Sequence, residues 1–221
     1  ASGHNIVLLD GLPVNQPPVA VSDPLPVHAT LNAAFDAVEF TRPYGAGGAH
    51  TRAVVRAGRL VVVLDRVVVP DEGPHSAEFL WHWHPDRAVS LHHRDGARTN
   101  TTTTNTTNMR LAAQRAAQVL FLADADTGHP FALAAAVHPD APCDISLATG
   151  EEAPQQGWYS EHYNQRRPAT CTSLTATVTN RTLVVAWLFA SVGGGPGGAA
   201  AHMRLPGVAV ETVVEGTGGA A

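Results

Sequence analysis

A chain of 221 residues with 44% hydrophobic content has enough apolar surface for a sizeable core, and at this length an all-β sandwich forms one domain. Fourteen basic against nineteen acidic residues give a formal net charge of −5, which supplies no sequence-independent attraction to phosphate backbones and argues against nucleic acid as a partner. No apolar run approaches the roughly 20 residues that span a bilayer, and the first residues lack the basic and apolar regions of a signal peptide, so no membrane is expected as a partner either.

Along the chain, valine, threonine, leucine and aromatic residues come in short runs separated by Gly, Pro, Asp and Asn, the pattern of many strands joined by turns. Strands are expected at 6–9, 34–42, 50–57, 59–69, 77–84 and 88–92. The step from HTRAVVRAG into RLVVVLDRVVV predicts a hairpin turning at Ala57 and Gly58, with Arg52, Arg56 and Arg59 flanking it. VVVLDRVVV is too apolar to face water for most of its length and is expected as a central strand buried on both sides. RTNTTTTNTTN, residues 98–108, is low in complexity and is expected as a loop tip. In MRLAAQRAAQVLFLADADTG, the Ala, Gln and Arg of the first half favour helix and the second half reads as a strand ending at a turn. Further strands are expected at 131–138, 171–179 and 182–189, with TNRT as a turn, then a glycine-rich loop and one or two last strands near 203–214. The sum is an all-β fold: antiparallel strands in a two-sheet β-sandwich with long loops, one domain over 1–221.

All fourteen basic residues are arginine, consistent with a compositional bias that also shows in the richness in Ala, Gly and Pro. Cys143 and Cys171 are candidates to pair in an oxidising compartment, and Asn100, Asn105 and Asn180 each have threonine two places on, the acceptor pattern for N-glycosylation. Together these point to an extracellular or secretory location. Among twelve histidines the most suggestive group is LWHWHPD: on a strand His82 and His84 share one face, the geometry of a two-histidine metal pair, and Trp81 and Trp83 share the other. Any two residues two apart on a strand do the same, so a wet face of hydrogen-bonded histidines remains open. No Gly-x-Ser-x-Gly elbow is present, neither cysteine has a local activating motif, and GGGPGG lacks the lysine and the strand–helix context of a phosphate loop. WYSEHY groups Trp158, Tyr159, His162 and Tyr163, which suit sugar stacking or proton transfer, or a lid packed on a sandwich edge.

Taken in order, GHNIVLLDGLPVNQ, HTRAVVRAGRLVVVLDRV, FLWHWHPD and GWYSEHYNQRRPA resemble the C-terminal β-sandwich of the heparinase II/III-like polysaccharide lyases. That family shows His-Asn-Thr-Val running into Val-Asp-Gly, an arginine-led hairpin ending in a Val-Val-Asp strand, and a later Trp-x-Ser-x-x-Tyr segment, here Trp158, Ser160 and Tyr163. The similarity extends to about Phe189, and Ile6 departs from the family's threonine. The resemblance implies a structural zinc ion with His4 as one ligand, the other ligands being expected upstream of this chain. It implies cleavage of uronic-acid-containing polysaccharides by β-elimination. The family's Asn, His and Tyr catalytic groups lie on an upstream helical toroid domain and just before His4, so no catalytic residue is expected in this chain. The expected partners are an acidic polysaccharide and that upstream helical catalytic domain, with this chain as a C-terminal part that is inactive alone. Two other readings stand beside this one: a non-catalytic carbohydrate-binding or structural sandwich using Trp81, Trp83, Trp158 and Tyr159 as platforms, and a metal-dependent barrel centred on His82 and His84.

Overall fold

In the computed structural model, the residues described are 5–13, 27–44, 47–58, 60–87, 89–93, 109–113, 119–123, 131–138, 141, 143–153, 155–191, 201–205 and 208–212. Twenty strands and no helix occur among them. A first short hairpin joins β1 (Val7–Leu9) to β2 (Leu12–Pro13). Its turn residues, Asp10 and Gly11, both have positive φ (50° and 77°), as a tight two-residue hairpin requires and as Asp-Gly supplies. Four strands then run in series: β3 (Val27–Leu31), β4 (Asp36–Tyr44), β5 (Gly48–Ala57) and β6 (Leu60–Val68). β7 (His75–His82) and β8 (Val89–His93) follow, then β9 (Met109–Ala113), β10 (Val119–Ala123), β11 (Phe131–His138) and β12 (Cys143–Thr149). Four two-residue strands, β13 (Glu151–Glu152), β14 (Gln155–Gln156), β15 (Trp158–Tyr159) and β16 (Arg167–Pro168), form two small ribbons. The long strands β17 (Thr170–Val178) and β18 (Thr182–Ser191) and the hairpin β19 (Ala201–Leu205) and β20 (Val208–Thr212) complete the chain.

Two antiparallel sheets carry the fold. One has six strands in the order β2-β1-β7-β17-β12-β9, the other eight in the order β3-β4-β5-β6-β18-β11-β10-β8. β17 and β18 are consecutive yet sit in different sheets, so TNRT is an arch over the core rather than a hairpin turn. Asn180 and Arg181 take positive φ there (55° and 63°), which Asn tolerates better than most residues. The core lies between the sheets: Val63, Val67, Leu183, Val185 and Trp187 from the larger sheet meet Val7, Leu9, Phe79, Ile145 and Leu174 from the smaller one. The all-β two-sheet sandwich read from the sequence is the architecture observed.

Several particulars differ from expectation. β6 is interior to its sheet, between β5 and β18, but it is buried on one face only: Val63, Asp65 and Val67 point inward, while Leu60 and Leu64 are each 39% exposed. A sandwich of two layers leaves each sheet an outer face, and valine density alone does not distinguish that from a strand covered twice. The start of the 109–128 segment, Met109–Ala113, is strand β9, paired with β12, because edge pairing outweighs a helix propensity worth tenths of a kcal/mol per residue. β3 and β12 went unrecognised in the sequence. Residues 98–108 and the glycine-rich loop lie outside the described residues, as do Asn100 and Asn105. Cys143 and Cys171 are both buried free thiols. Cys143 stands opposite Ala176 and Cys171 opposite Ala148, so they are five residues apart along one ladder, roughly 17 Å, beyond the reach of a disulfide.

Candidate functional site

Among the described residues, the interior's one buried carboxylate sits on β6, with its partners on β5 and β18. Asp65 is fully buried on the inward face of β6. Arg52 stands directly opposite it across the ladder, and His50, two residues earlier on β5, shares that face. On the other side, Trp187 of β18 lies one diagonal away, opposite Val63. All three side chains converge on the carboxylate: His50 Nε2 at 2.8 Å and Arg52 Nε at 2.7 Å on Oδ1, Arg52 Nη2 at 3.0 Å and Trp187 Nε1 at 3.0 Å on Oδ2. Burial alone pushes the Asp65 carboxyl up, but the hydrogen bonds from His50 and Arg52 and the Arg52 charge outweigh it and hold the group below its ordinary range. An ionised carboxylate only accepts, so His50 carries its hydrogen on Nε2.

Arg52 has a second task. Its Nη1 donates to the carbonyl of Asn5 at 2.9 Å, and its guanidinium lies 5.2 Å from the centre of the Trp81 ring. The Asn5 side chain accepts from the backbone N–H of His82 at 2.6 Å, and Ile6 takes the Leu80 N–H at 2.9 Å. The residue that follows His4 is thereby fixed between the two sheets, on β7 and, through Arg52, on the buried Asp65. His4 itself lies outside the described residues. Among the described residues no group of three or more His, Cys, Asp or Glu side chains is placed to hold a metal ion.

The histidine pair read from LWHWHPD separates. β7 ends at His82, which is half-buried, while His84 lies beyond the strand, exposed, 3.3 Å from Asp86 and edge-on to Tyr159 at 5.0 Å. The proline after His84 ends the ladder before the second histidine can share a strand face. Trp81 and Trp83 do point the same way, but into the core. Trp81 meets Trp187 and Phe189 edge to face at 5.5 and 4.9 Å, and Trp83 Nε1 donates to Thr172 Oγ1 at 2.8 Å beside Phe189. Neither is the exposed sugar platform that the sequence allowed. Trp158 and Tyr159 remain at the surface, half-buried on β15 next to His84.

At the far end of β7, roughly 23 Å from His82 by strand rise, a second polar group holds the first hairpin. His75 Nδ1 lies 2.8 Å from Asp10 Oδ2 and Nε2 3.1 Å from Asp71 Oδ1, while Asp10 Oδ1 accepts the Ser76 N–H. These hydrogen bonds raise the His75 imidazole above its usual range, and His75 in turn lowers both carboxyls.

Sequence reasoning placed Arg52 at the hairpin but missed Asp65 and His50. The available signal was the single carboxylate inside VVVLDRVVV: a charge on the inward face of a core strand needs partners, and partners of opposite charge must come from adjacent strands.

Comparison with known proteins bears on the fold and the family. The family model described as heparinase II/III-like, C-terminal, matches residues 17–188, so the His4–Asn5 segment precedes the matched stretch. No curated protein matches the chain by sequence. Among solved structures, heparan sulfate lyase HepC from Pedobacter heparinus is similar with a TM-score of 0.60 at 12% identity over 96% of this chain and 30% of that one. A heparinase III is similar with a TM-score of 0.55 at 11% identity, over 91% of this chain and 26% of that one, and the heparinase III BT4657 gene product with 0.54 at 14%, over 91% and 26%. At such identities the likeness is one of fold, and this chain spans between a quarter and a third of the length of those proteins. With 172 of its 221 residues inside the family model, this chain belongs to the heparinase II/III-like C-terminal domain family.

Proposed function

We propose that this chain serves as the β-sandwich part of a polysaccharide lyase that cleaves uronic-acid-containing polysaccharides by β-elimination, and that alone it lacks the catalytic residues. The observation that carries this reading is the family match over residues 17–188, joined to folds of lyase chains more than three times as long. β-Elimination removes the proton at C5, breaks the C4–O4 bond and forms a C4–C5 double bond, which calls for a base, a proton donor to O4 and a group that neutralises the uronate carboxyl. The buried Asp65 cluster supplies none of these to a substrate. Its carboxylate is fully enclosed and spends its acceptor sites on His50, Arg52 and Trp187. Its role in this reading is architectural: it fixes Arg52, and Arg52 fixes the chain at Asn5.

Zinc belongs to the same reading through His4 alone. The described residues do not form a zinc site, so no chemical step is assigned to the metal. Metal content of the longer protein, compared with its His4→Ala variant, tests this part: loss of about one equivalent of zinc supports it, and unchanged content rejects it. The same reading goes with an extracellular or secretory location, which fractionation of the source cells and assay of each fraction would test. The activity is tested by incubating the longer protein with uronate polymers and following the ultraviolet absorbance of the unsaturated product.

A further inference from the structure

A groove on the 150–168 loops lies apart from the Asp65 cluster. Its walls include Gln155, Trp158, Tyr159, Asn164 and Arg166, and its volume of about 370 Å³ falls in the range of small-molecule sites. The walls are held firmly. Gly157, at φ 73°, offers its carbonyl to the N–H groups of Gly150 and Ala169, each at 2.8 Å. Trp158 Nε1 donates to the Glu151 carbonyl at 2.8 Å, and the Arg166 guanidinium lies 4.2 Å from the centre of the Trp158 ring. Tyr163, one residue before the groove-lining Asn164, is 93% exposed: a large aromatic that contributes no burial to the fold.

Charge decides what such a groove takes. Arg166 Nη2 is paired with Glu152 at 2.8 Å and Arg167 Nη2 with Asp86 at 2.7 Å, while His84 faces the same Asp86. Each cation near the groove thus has a carboxylate beside it, Glu151 and Glu161 add further negative charge, and no net positive field remains to draw in a polyanion. What the walls offer is the Asn164 and Gln165 amides, which both donate and accept, a phenol, and a guanidinium with donors beyond the one given to Glu152. That inventory matches hydroxyl groups, which also both donate and accept, better than it matches a carboxylate or sulfate.

We propose that this groove binds an uncharged sugar unit, a hexose or N-acetylhexosamine, through its hydroxyl groups, with Tyr163 as a stacking rim. The proposal rests on the polysaccharide reading above for its ligand class, and it places on this chain a contact that holds a polymer without acting on its uronates.

The test titrates the full 221-residue chain with hexamers of glucose and of N-acetylglucosamine, and with a hexuronate, following tryptophan fluorescence. Arg166 and Tyr163 are surface side chains, so Arg166→Ala and Tyr163→Ala should fold, and a melting curve for each establishes that. An uncharged hexamer should bind with an affinity that changes less than about twofold between low and high salt, because its contacts involve no counter-ion release. Arg166→Ala should weaken it about tenfold, as for a central contact in a small site, and Tyr163→Ala should weaken it about three- to tenfold by removing the stacking face. The proposal is overturned if neither uncharged hexamer binds, if both variants bind as the parent does, or if only the hexuronate binds and loses affinity steeply with salt. Lyase activity of the longer protein is read separately from product absorbance, so failure of the groove and failure of the lyase reading give different results.

Discussion

Replacing Asp65 with alanine is the perturbation that most directly probes what holds Arg52, and through it the segment at Asn5, in place. The substitution removes a carboxylate that receives four hydrogen bonds from three side chains and leaves Arg52, whose side chain is 12% exposed, as a cation without its counter-charge. Breaking a buried pair from one side costs about 3–5 kcal/mol. The orphaned Trp187 N–H adds roughly 1–3 kcal/mol, and since the two share one site the sum is less than additive, about 4–6 kcal/mol. Against a total stability of about 5–15 kcal/mol this is a large fraction. At roughly 2–4 °C per kcal/mol for a domain of this size, the melting temperature should fall by about 10–20 °C. Asp65→Asn keeps the shape and should cost about half as much, because it loses the charge and one accepting oxygen but leaves no void. Arg52→Ala combined with Asp65→Ala should cost less than the two singles added, by about 2 kcal/mol, since the double variant buries no unpaired charge. Urea denaturation of the parent and of the Asp65→Ala, Asp65→Asn, Arg52→Ala and double variants measures these free energies, and thermal melts read the shift in melting temperature. The acid limb gives an independent check: the lowered Asp65 carboxyl contributes stability that is present above about pH 3.8 and is lost as pH falls through its depressed folded value, and Asp65→Asn should lack that loss. A cost below about 1 kcal/mol for Asp65→Ala, or strict additivity with Arg52→Ala, would refute the assigned role.

Three further outcomes follow from other parts of the fold. His75 touches a carboxylate with each ring nitrogen, and only the imidazolium donates to both, so its raised folded value makes its contribution full below about pH 6.5 and lost as pH rises through that higher value; His75→Gln should flatten this alkaline limb in melts recorded against pH. The lowered Asp10 and Asp71 carboxyls act oppositely, contributing above about pH 3.8 and losing that as pH falls. Burial pushes the Cys143 thiol up to about 11 and, with Glu78 nearby, the Cys171 thiol up to about 12, so a thiol reagent at neutral pH should label neither until the protein unfolds; rapid labelling of the native chain would contradict their burial. Gly157→Ala should destabilise by roughly 2–3 kcal/mol in denaturant melts, because its φ is 73° and an added Cβ would stand 2.6 Å from the Ala148 carbonyl and 2.8 Å from that of Ala169, neither of which is a flexible side chain.

How much of this was legible in the sequence depends on whether the cause is local. Alternation and turn residues are local, and they locate β4 to β7, β10, β11, β17 and β18 to within a few residues and put Trp81 and Trp83 on one shared face, but they do not say that this face turns into the core. The order of strands is not local: nothing in TNRT distinguishes a hairpin turn from the arch that sends β17 and β18 to different sheets. β9 was obscured because MRLAA favours helix on its own and becomes a strand only when β12 pairs with it. The site suffers most. Asp65 is one residue in an apolar run, and its partners are thirteen and fifteen residues back and 122 residues on, joined only by the registers of β5 and β18. His82 and His84 show the converse case, since their spacing left open a shared face that the end of β7 removes.

The measurement that bears most directly on the central claim compares the isolated 221-residue chain with a longer parent protein of the kind proposed, both incubated with uronate polymers while unsaturated uronate is followed by ultraviolet absorbance. The account predicts steady product from the longer parent and none from the isolated chain, because the base and acid of β-elimination are proposed to lie on the part that precedes it. Product from the isolated chain, or none from the longer protein on any uronate polymer, would contradict it.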